Sequence, residues 1–181
     1  IALLAAVGGA VQPGQGHAIA FVHPGILHSA EDLARIKNNQ NAEPWKSALA
    51  AFKTDAKASS SYAKKGPYST VCRQDSTLST CTSVNYGNSA LESDARAAYY
   101  NALLWNITGN QAHANKAIEI LDAWSSTLTT IAGIDAQLAA GDNGIYLANA
   151  GELLRYSNSG WSSTGVTNLS TLLTNVFYPQ V

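Results

Sequence analysis

The sequence has 181 residues, 11 Lys and Arg against 12 Asp and Glu, and a formal net charge of -1. That is enough chain for one buried core but short for a large multi-helix domain. The near-neutral balance leaves no basic field of the kind nucleic acids or anionic membranes select, although a few cations gathered in one groove would still serve a polyanionic partner.

The chain starts at Ile1 with no Met anywhere and ends in the apolar run Phe177 to Val181, so both ends read as cut. Residues 1–20 read as a signal-peptide-like leader. Ile1 to Val7 form the end of an apolar stretch, and Ala18-Ile19-Ala20 supplies a small-x-small cleavage pattern before Phe21. The competing reading is a buried N-terminal helix. The leader is too short and glycine-interrupted to span a bilayer.

Residues 21–181 read as one helical domain. Pro24 and Gly25 keep the segment from Phe21 to His28 extended. Ser29 then caps a first helix, with Glu31 and Asp32 in its first turn, Leu33 and Ile36 starting an apolar stripe, and Asn38 to Asn41 ending it. Pro44 opens a second helix carrying Trp45, Leu49 and Phe52.

From Tyr62 to Ser89 the sequence loses helical period and becomes dense in Ser, Thr and Gly, which predicts one long ordered loop. Cys72 and Cys81, the only cysteines, sit in it. A disulfide is expected, because zinc would need further Cys and His ligands nearby. Tyr62, Lys64, Lys65, Tyr68, Arg73 and Tyr86 give the loop a mixture of cations and aromatics suited to a sugar acid. The alternative is a solvated surface loop pinned by the bridge.

Ser93 or Asp94 is the expected cap of a third helix containing Ala95, Ala98, Tyr99, Ala102 and Trp105, with Thr108-Gly109-Asn110 as its stop. A fourth helix follows through Ala117, Leu121 and Trp124 to about Leu128. Gly141-Asp142-Asn143-Gly144 reads as a turn, followed by a buried helix from Ile145 to Tyr156 in which Glu152 pairs with Arg155. A last helix surrounds Leu169, Leu172 and Val176, and no segment alternates as a strand should. Fold class is therefore all-α, a series of helical hairpins.

Phosphate-cradling, nucleophile-elbow and zinc-peptidase motifs are all missing, and no metal or cofactor is expected. The acids sit mostly at helix starts or on exposed faces, and only Asp135, Asp142 and Glu152 look placeable in a groove. His17, His23, His28 and His113 lack partners at suitable spacing. Asn106-Ile107-Thr108 and Asn168-Leu169-Ser170 are N-glycosylation patterns. With the leader and the cysteine pair they favour a secreted, extracellular protein.

Four segments resemble the alginate-lyase-like polysaccharide lyases of the (α/α)-toroid superfamily, especially fungal secreted members. They are His23-Pro24-Gly25-Ile26-Leu27-His28-Ser29 with Glu31-Asp32-Leu33; Ala98 to Trp105 with Ile107-Thr108-Gly109-Asn110; Ala117 to Ser125; and Leu147 to Tyr156 with Gly160-Trp161. The resemblance implies part of an incomplete (α/α) toroid that cleaves a uronate-containing acidic polysaccharide by β-elimination. A neutral Asn, His or Arg would stabilise the C5 carboxylate and a Tyr or His would remove the C5 proton. The family places those groups on later helices, so the resemblance sets the catalytic residues beyond Val181. It gives Tyr68, Arg73 and Tyr86 the position of a substrate lid. Tyr99, Tyr100, Asn143 and Tyr146 become groove residues, although Tyr99 and Trp105 also fit core packing. A cut toroid would expose apolar faces that a second chain could cover. The competing functions are a secreted non-catalytic carbohydrate-binding protein and an (α/α)-barrel glycoside hydrolase.

Overall fold

The computed structural model describes residues 21–74 and 77–181; the expected leader lies outside them. Six α-helices carry the structure: α1 (Ala30–Asn39), α2 (Trp45–Phe52), α3 (Asn88–Thr108), α4 (Gln111–Thr127), α5 (Ala136–Arg155) and α6 (Ser163–Leu172). The fold is all-α, with two three-residue strands among the described residues, β1 (Thr70–Cys72) and β2 (Thr130–Ala132).

Local chemistry sets most of the ends. Ser29 Oγ accepts from the Asp32 backbone N–H while the Asp32 carboxylate accepts from the Ser29 N–H, a reciprocal cap at α1. Gly109 ends α3 in the left-handed region at φ 70°, and its N–H donates to the Trp105 carbonyl. Asn110 then caps α4 by accepting from the Ala112 N–H. This two-residue link turns α3 and α4 into a tight hairpin.

Helix α3 packs against both α4 and α5. Ala95, Ala97, Ala98 and Ala102 are fully buried on it, and such short side chains let the neighbouring helices approach closely. Leu91, Leu104, Ile120, Leu121, Trp124, Leu147 and Leu154 fill the space between them. Fully burying each of these large side chains contributes roughly 1.5–3 kcal/mol.

Three expectations fail here. Asp94 does not cap α3, which starts six residues earlier after Gly87; the Asp94 side chain is fully buried. It accepts from Tyr62 Oη at 2.9 Å, Trp124 Nε1 at 2.8 Å, and the Lys65 and Gly66 backbone N–H groups at 2.9 Å each. A carboxylate turned inward in this way satisfies four donors and draws the loop onto the helix. The Tyr62 hydroxyl is correspondingly pushed well above its usual range by burial and by Asp94.

The stretch from Tyr62 to Ser89 is also not without regular structure. β1 runs parallel to β2, with Thr70 opposite Thr130, Val71 opposite Ile131 and Cys72 opposite Ala132. Both strands are too short for a period-two pattern to register. The Cys72–Cys81 disulfide is formed, and Cys72 itself is fully buried.

Finally, Gly141-Asp142-Asn143-Gly144 is no turn but lies within α5. At Gly144 a Cβ would stand 3.1 Å from Phe177 Cδ1, and at Gly151 one would stand 2.5 Å from Leu169 Cδ2. Close approach of the C-terminal turns and of α6 thus accounts for these two glycines inside a helix. On the side of α5 that also carries Asp142, Leu138 and Ile145 remain exposed. Among the described residues no helix is long and apolar enough to cross a membrane.

Candidate substrate-binding face

Asn88, Glu92, Arg96 and Tyr99 recur on α3 at spacings of four, four and three, which places them on one side of the helix. From Asn88 to Tyr99 that face extends about 16 Å at 1.5 Å per residue. Helix α5 meets it with Asp142, Asn143 and Tyr146. Arg96 joins the two: its Nη2 pairs with Glu92 Oε1 at 2.9 Å, and its guanidinium lies 5.5 Å from the centre of the Tyr146 ring.

An aromatic row continues from there. The Tyr146 ring is 5.7 Å from Tyr99, Tyr99 is 6.0 Å from Tyr100, and Tyr100 meets Phe52 edge-on at 5.1 Å. His28 stacks on Tyr99, its Nε2 2.5 Å from the Tyr99 hydroxyl. Burial lowers the His28 pKa against a smaller upward pull from Asp32. Burial, with the neighbouring Tyr146 and Tyr100, raises that of Tyr99. Both shifts favour the uncharged forms, a neutral imidazole and a protonated phenol, and the imidazole tautomer decides which of the two donates in this contact.

The segment before α1 holds His28 in place through α5. Leu27 N–H donates to Asn149 Oδ1 at 3.1 Å, and Gly25 N–H to Glu152 Oε1 at 3.1 Å. His23 Nδ1 is 2.6 Å from the same Glu152 oxygen, and its ring stacks on Tyr156 at 3.8 Å. Glu152 thus ties down the N-terminal segment, where the spacing had predicted a pair with Arg155; the Arg155 guanidinium sits over the Tyr156 ring instead. His113 also has a partner, Asn101 Oδ1 at 2.7 Å, away from this face.

At the other end of the face is a polar cavity of about 330 Å³. Arg73 enters it from the end of β1. Its N–H donates to the Ala132 carbonyl at 2.9 Å, its carbonyl accepts from the Asp135 N–H at 3.4 Å, and its Nη1 pairs with Asp142 Oδ2 at 2.9 Å. Gln74, also at the rim, holds a positive φ of 58°, an unfavourable conformation for a non-glycine residue. Asn143 is 2 % exposed; its Nδ2 donates to the Ala139 carbonyl, and its Oδ1 has no partner.

Of the seven residues expected to bind substrate, the fold brings Arg73, Tyr99, Tyr100, Asn143 and Tyr146 onto this face. Tyr68 and Tyr86 pack edge-on against each other at 5.2 Å, and Tyr68 leans on Trp124 at 6.4 Å, among the residues that support the core. His28, Asn88, Glu92 and Arg96 are additions the sequence reading did not make. The four-four-three stripe on α3 was the available signal, obscured by placing the helix start at Ser93 or Asp94. Among the described residues no three His, Cys, Asp or Glu side chains converge as a metal site.

The glycosylation triplets differ in setting. Asn106 spends its amide on the carbonyls of Ala102 and Leu153, at 2.9 and 3.2 Å, whereas Asn168 is exposed on α6.

Over residues 31–173 the chain matches the family model described as Alginate lyase. No curated protein matches it.

Proposed function

The chain belongs to the alginate lyase family, and on that premise we propose that it acts on a uronate-containing polysaccharide by β-elimination, with the α3–α5 face as its binding surface. The observation that carries this reading is the continuity of the face: the Tyr99–Tyr146 row runs through Arg96 into the cavity bounded by Arg73 and Asn143. Aromatic rings stack on sugar rings, and guanidiniums suit carboxylates.

In the elimination a base takes the C5 proton, the electron pair forms the C4–C5 double bond, and the C4–oxygen bond breaks as the leaving oxygen gains a proton. In place of the groups expected beyond Val181, we assign proton transfer on this face to the His28–Tyr99 pair, whose imidazole nitrogen and phenol oxygen lie within hydrogen-bond reach of each other. Tyr68 and Tyr86 brace, from the side of Trp124, the loop that positions Arg73. Secretion fits the bridged cysteine pair.

The test is to incubate the protein with alginate, glucuronan and chondroitin and follow the ultraviolet absorbance of the unsaturated product. A rise with one polymer supports elimination. Reducing ends released without absorbance would move the case to hydrolysis, and silence in both assays to a binding scaffold.

A further inference from the structure

A second cavity, of about 570 Å³, lies where the segment between α2 and β1 crosses α3. Its size is that of a small-ligand site, for which about 300–1,000 Å³ is usual. Lys57, Ser59, Ser61, Tyr62 and Lys65 line it from that segment, and Ser93 lines it from α3. No residue is shared with the polar cavity at the end of the α3–α5 face.

Charge separates the two cavities. In the polar cavity Arg73 and Arg96 are already paired, with Asp142 and Glu92 at 2.9 Å each, and Asp135 adds a third acid. The lining of the second cavity includes two lysines and no acid. Among the described residues neither Lys57 nor Lys65 forms an ion pair, whereas the adjacent Lys64 reaches Glu119 at 4.0 Å.

The acids bonded to this segment are committed elsewhere. Asp55 accepts from the Lys57 backbone N–H at 2.8 Å, and Asp94 from Tyr62, Trp124 and the backbone N–H groups of Lys65 and Gly66. Two ammonium groups therefore stand uncompensated beside one cavity, which favours an anion there. The Ser59 and Ser61 hydroxyls, 2.8 Å apart, add donors and acceptors of the kind that sugar hydroxyls match.

Position ties this cavity to the α3–α5 face. Ser89 lines the polar cavity and Ser93 lines this one. They stand four residues apart on nearly the same side of α3, about 6 Å along its axis. A polymer lying on the face thus reaches the second cavity by continuing across the first turns of α3.

We propose that the cavity is a further uronate subsite, in which Lys57 and Lys65 hold the carboxylate of a sugar unit beyond those on the α3–α5 face. The inference rests on the reading of that face as a polysaccharide-binding surface and extends it to a longer stretch of the polymer.

The experiment is lysine footprinting of the intact protein. An amine-selective acylating reagent is applied with and without alginate, glucuronan and the carboxyl-reduced form of each, and labelling is read residue by residue by peptide mass spectrometry. The expected result is severalfold slower labelling of Lys57 and Lys65 with at least one of the two acidic polymers and no change with its carboxyl-reduced form. The exposed Lys37 and Lys46, on α1 and α2, should label at the same rate throughout. Lys57→Gln with Lys65→Gln should weaken binding of that polymer roughly tenfold, about the sum of two solvent-exposed ion pairs, and flatten its salt dependence. Unchanged labelling of Lys57 and Lys65 overturns the proposal, as does equal protection by the carboxyl-reduced polymer or equal protection of Lys37 and Lys46. Unsaturated product formed while both lysines label at the unprotected rate would sink this inference and leave the lyase reading standing; carboxylate-dependent protection without unsaturated product would do the reverse.

Discussion

The hydroxyl of Tyr99 and Nε2 of His28 lie 2.5 Å apart, joining a residue of α3 to the extended segment that precedes α1. Neither residue is near the other in sequence, and the contact depends on Asn149 and Glu152 of α5 holding the backbone at Leu27 and Gly25. If the pair moves a proton during elimination, Tyr99→Phe should lower kcat by roughly 10²–10⁴-fold with KM changed little. A purely structural Tyr99 would instead show a stability loss and a parallel change in KM.

Stability should fall on acidification through the histidine range. Burial lowers the pKa of His28, and burial with the charge of Lys53 lowers that of His113. The unfolded chain thus binds more protons than the folded one, so the stabilisation is present above the ordinary histidine pKa of about 6.5 and is lost as pH falls toward the lowered folded values. Urea midpoints measured across this window should decrease with acidity, and His28→Gln together with His113→Gln should flatten the slope. An unchanged slope in the double variant contradicts the assignment.

Asp94→Asn should destabilise the protein by about 3 kcal/mol, since hydrogen bonds to a charged group are each worth about 1.5–3 kcal/mol. The new amide would point N–H groups at the donors from Gly66 and Trp124 that the carboxylate now accepts. Guanidinium unfolding monitored by Trp fluorescence reads the change. A loss below about 0.5 kcal/mol, the size of an ordinary surface substitution, would mean that the loop is not anchored through Asp94.

Reducing the Cys72–Cys81 bridge should cost roughly 2–3 kcal/mol, given the short loop it closes. It should also raise KM, because Arg73 follows Cys72 directly and relies on β1 for its position. Melting temperature and KM with and without reductant separate these effects.

If the protein passes through a eukaryotic secretory route, Asn168 should carry the glycan and Asn106 should not. Asn168 is exposed, whereas the Asn106 amide is occupied by two carbonyls across α3 and α5. Glycopeptide mass spectrometry of the secreted protein reads both positions, and occupancy of Asn106 would show that glycosylation precedes packing of these helices.

Elements whose signals are local were readable from the sequence. The Ser29–Asp32 cap, the Gly109 stop and the apolar period of α4 each depend on residues within a turn or two of one another. What escaped depends on partners far along the chain. Asp94 looks like a helix cap until Trp124 and the backbone at Lys65 and Gly66 arrive to meet it, and Gly141-Asp142-Asn143-Gly144 looks like a turn until Phe177 packs against Gly144. β1 and β2 pair across nearly sixty residues with only three residues each, below the length at which alternation can be seen. The candidate face was half legible for the same reason. Its tyrosines stand out by type, but Arg96 and His28 acquire meaning only when α5 brings Tyr146 and Asn149 beside them.

If this family member breaks its polymer by elimination, the mass of the fragments it leaves records it. Mass spectrometry of the products of an exhaustive digest should find oligosaccharides with an unsaturated non-reducing end, each one water lighter than the saturated oligosaccharide of the same length. Fragments of full hydrated mass, with no unsaturated ends, would contradict the account and assign the protein to hydrolysis.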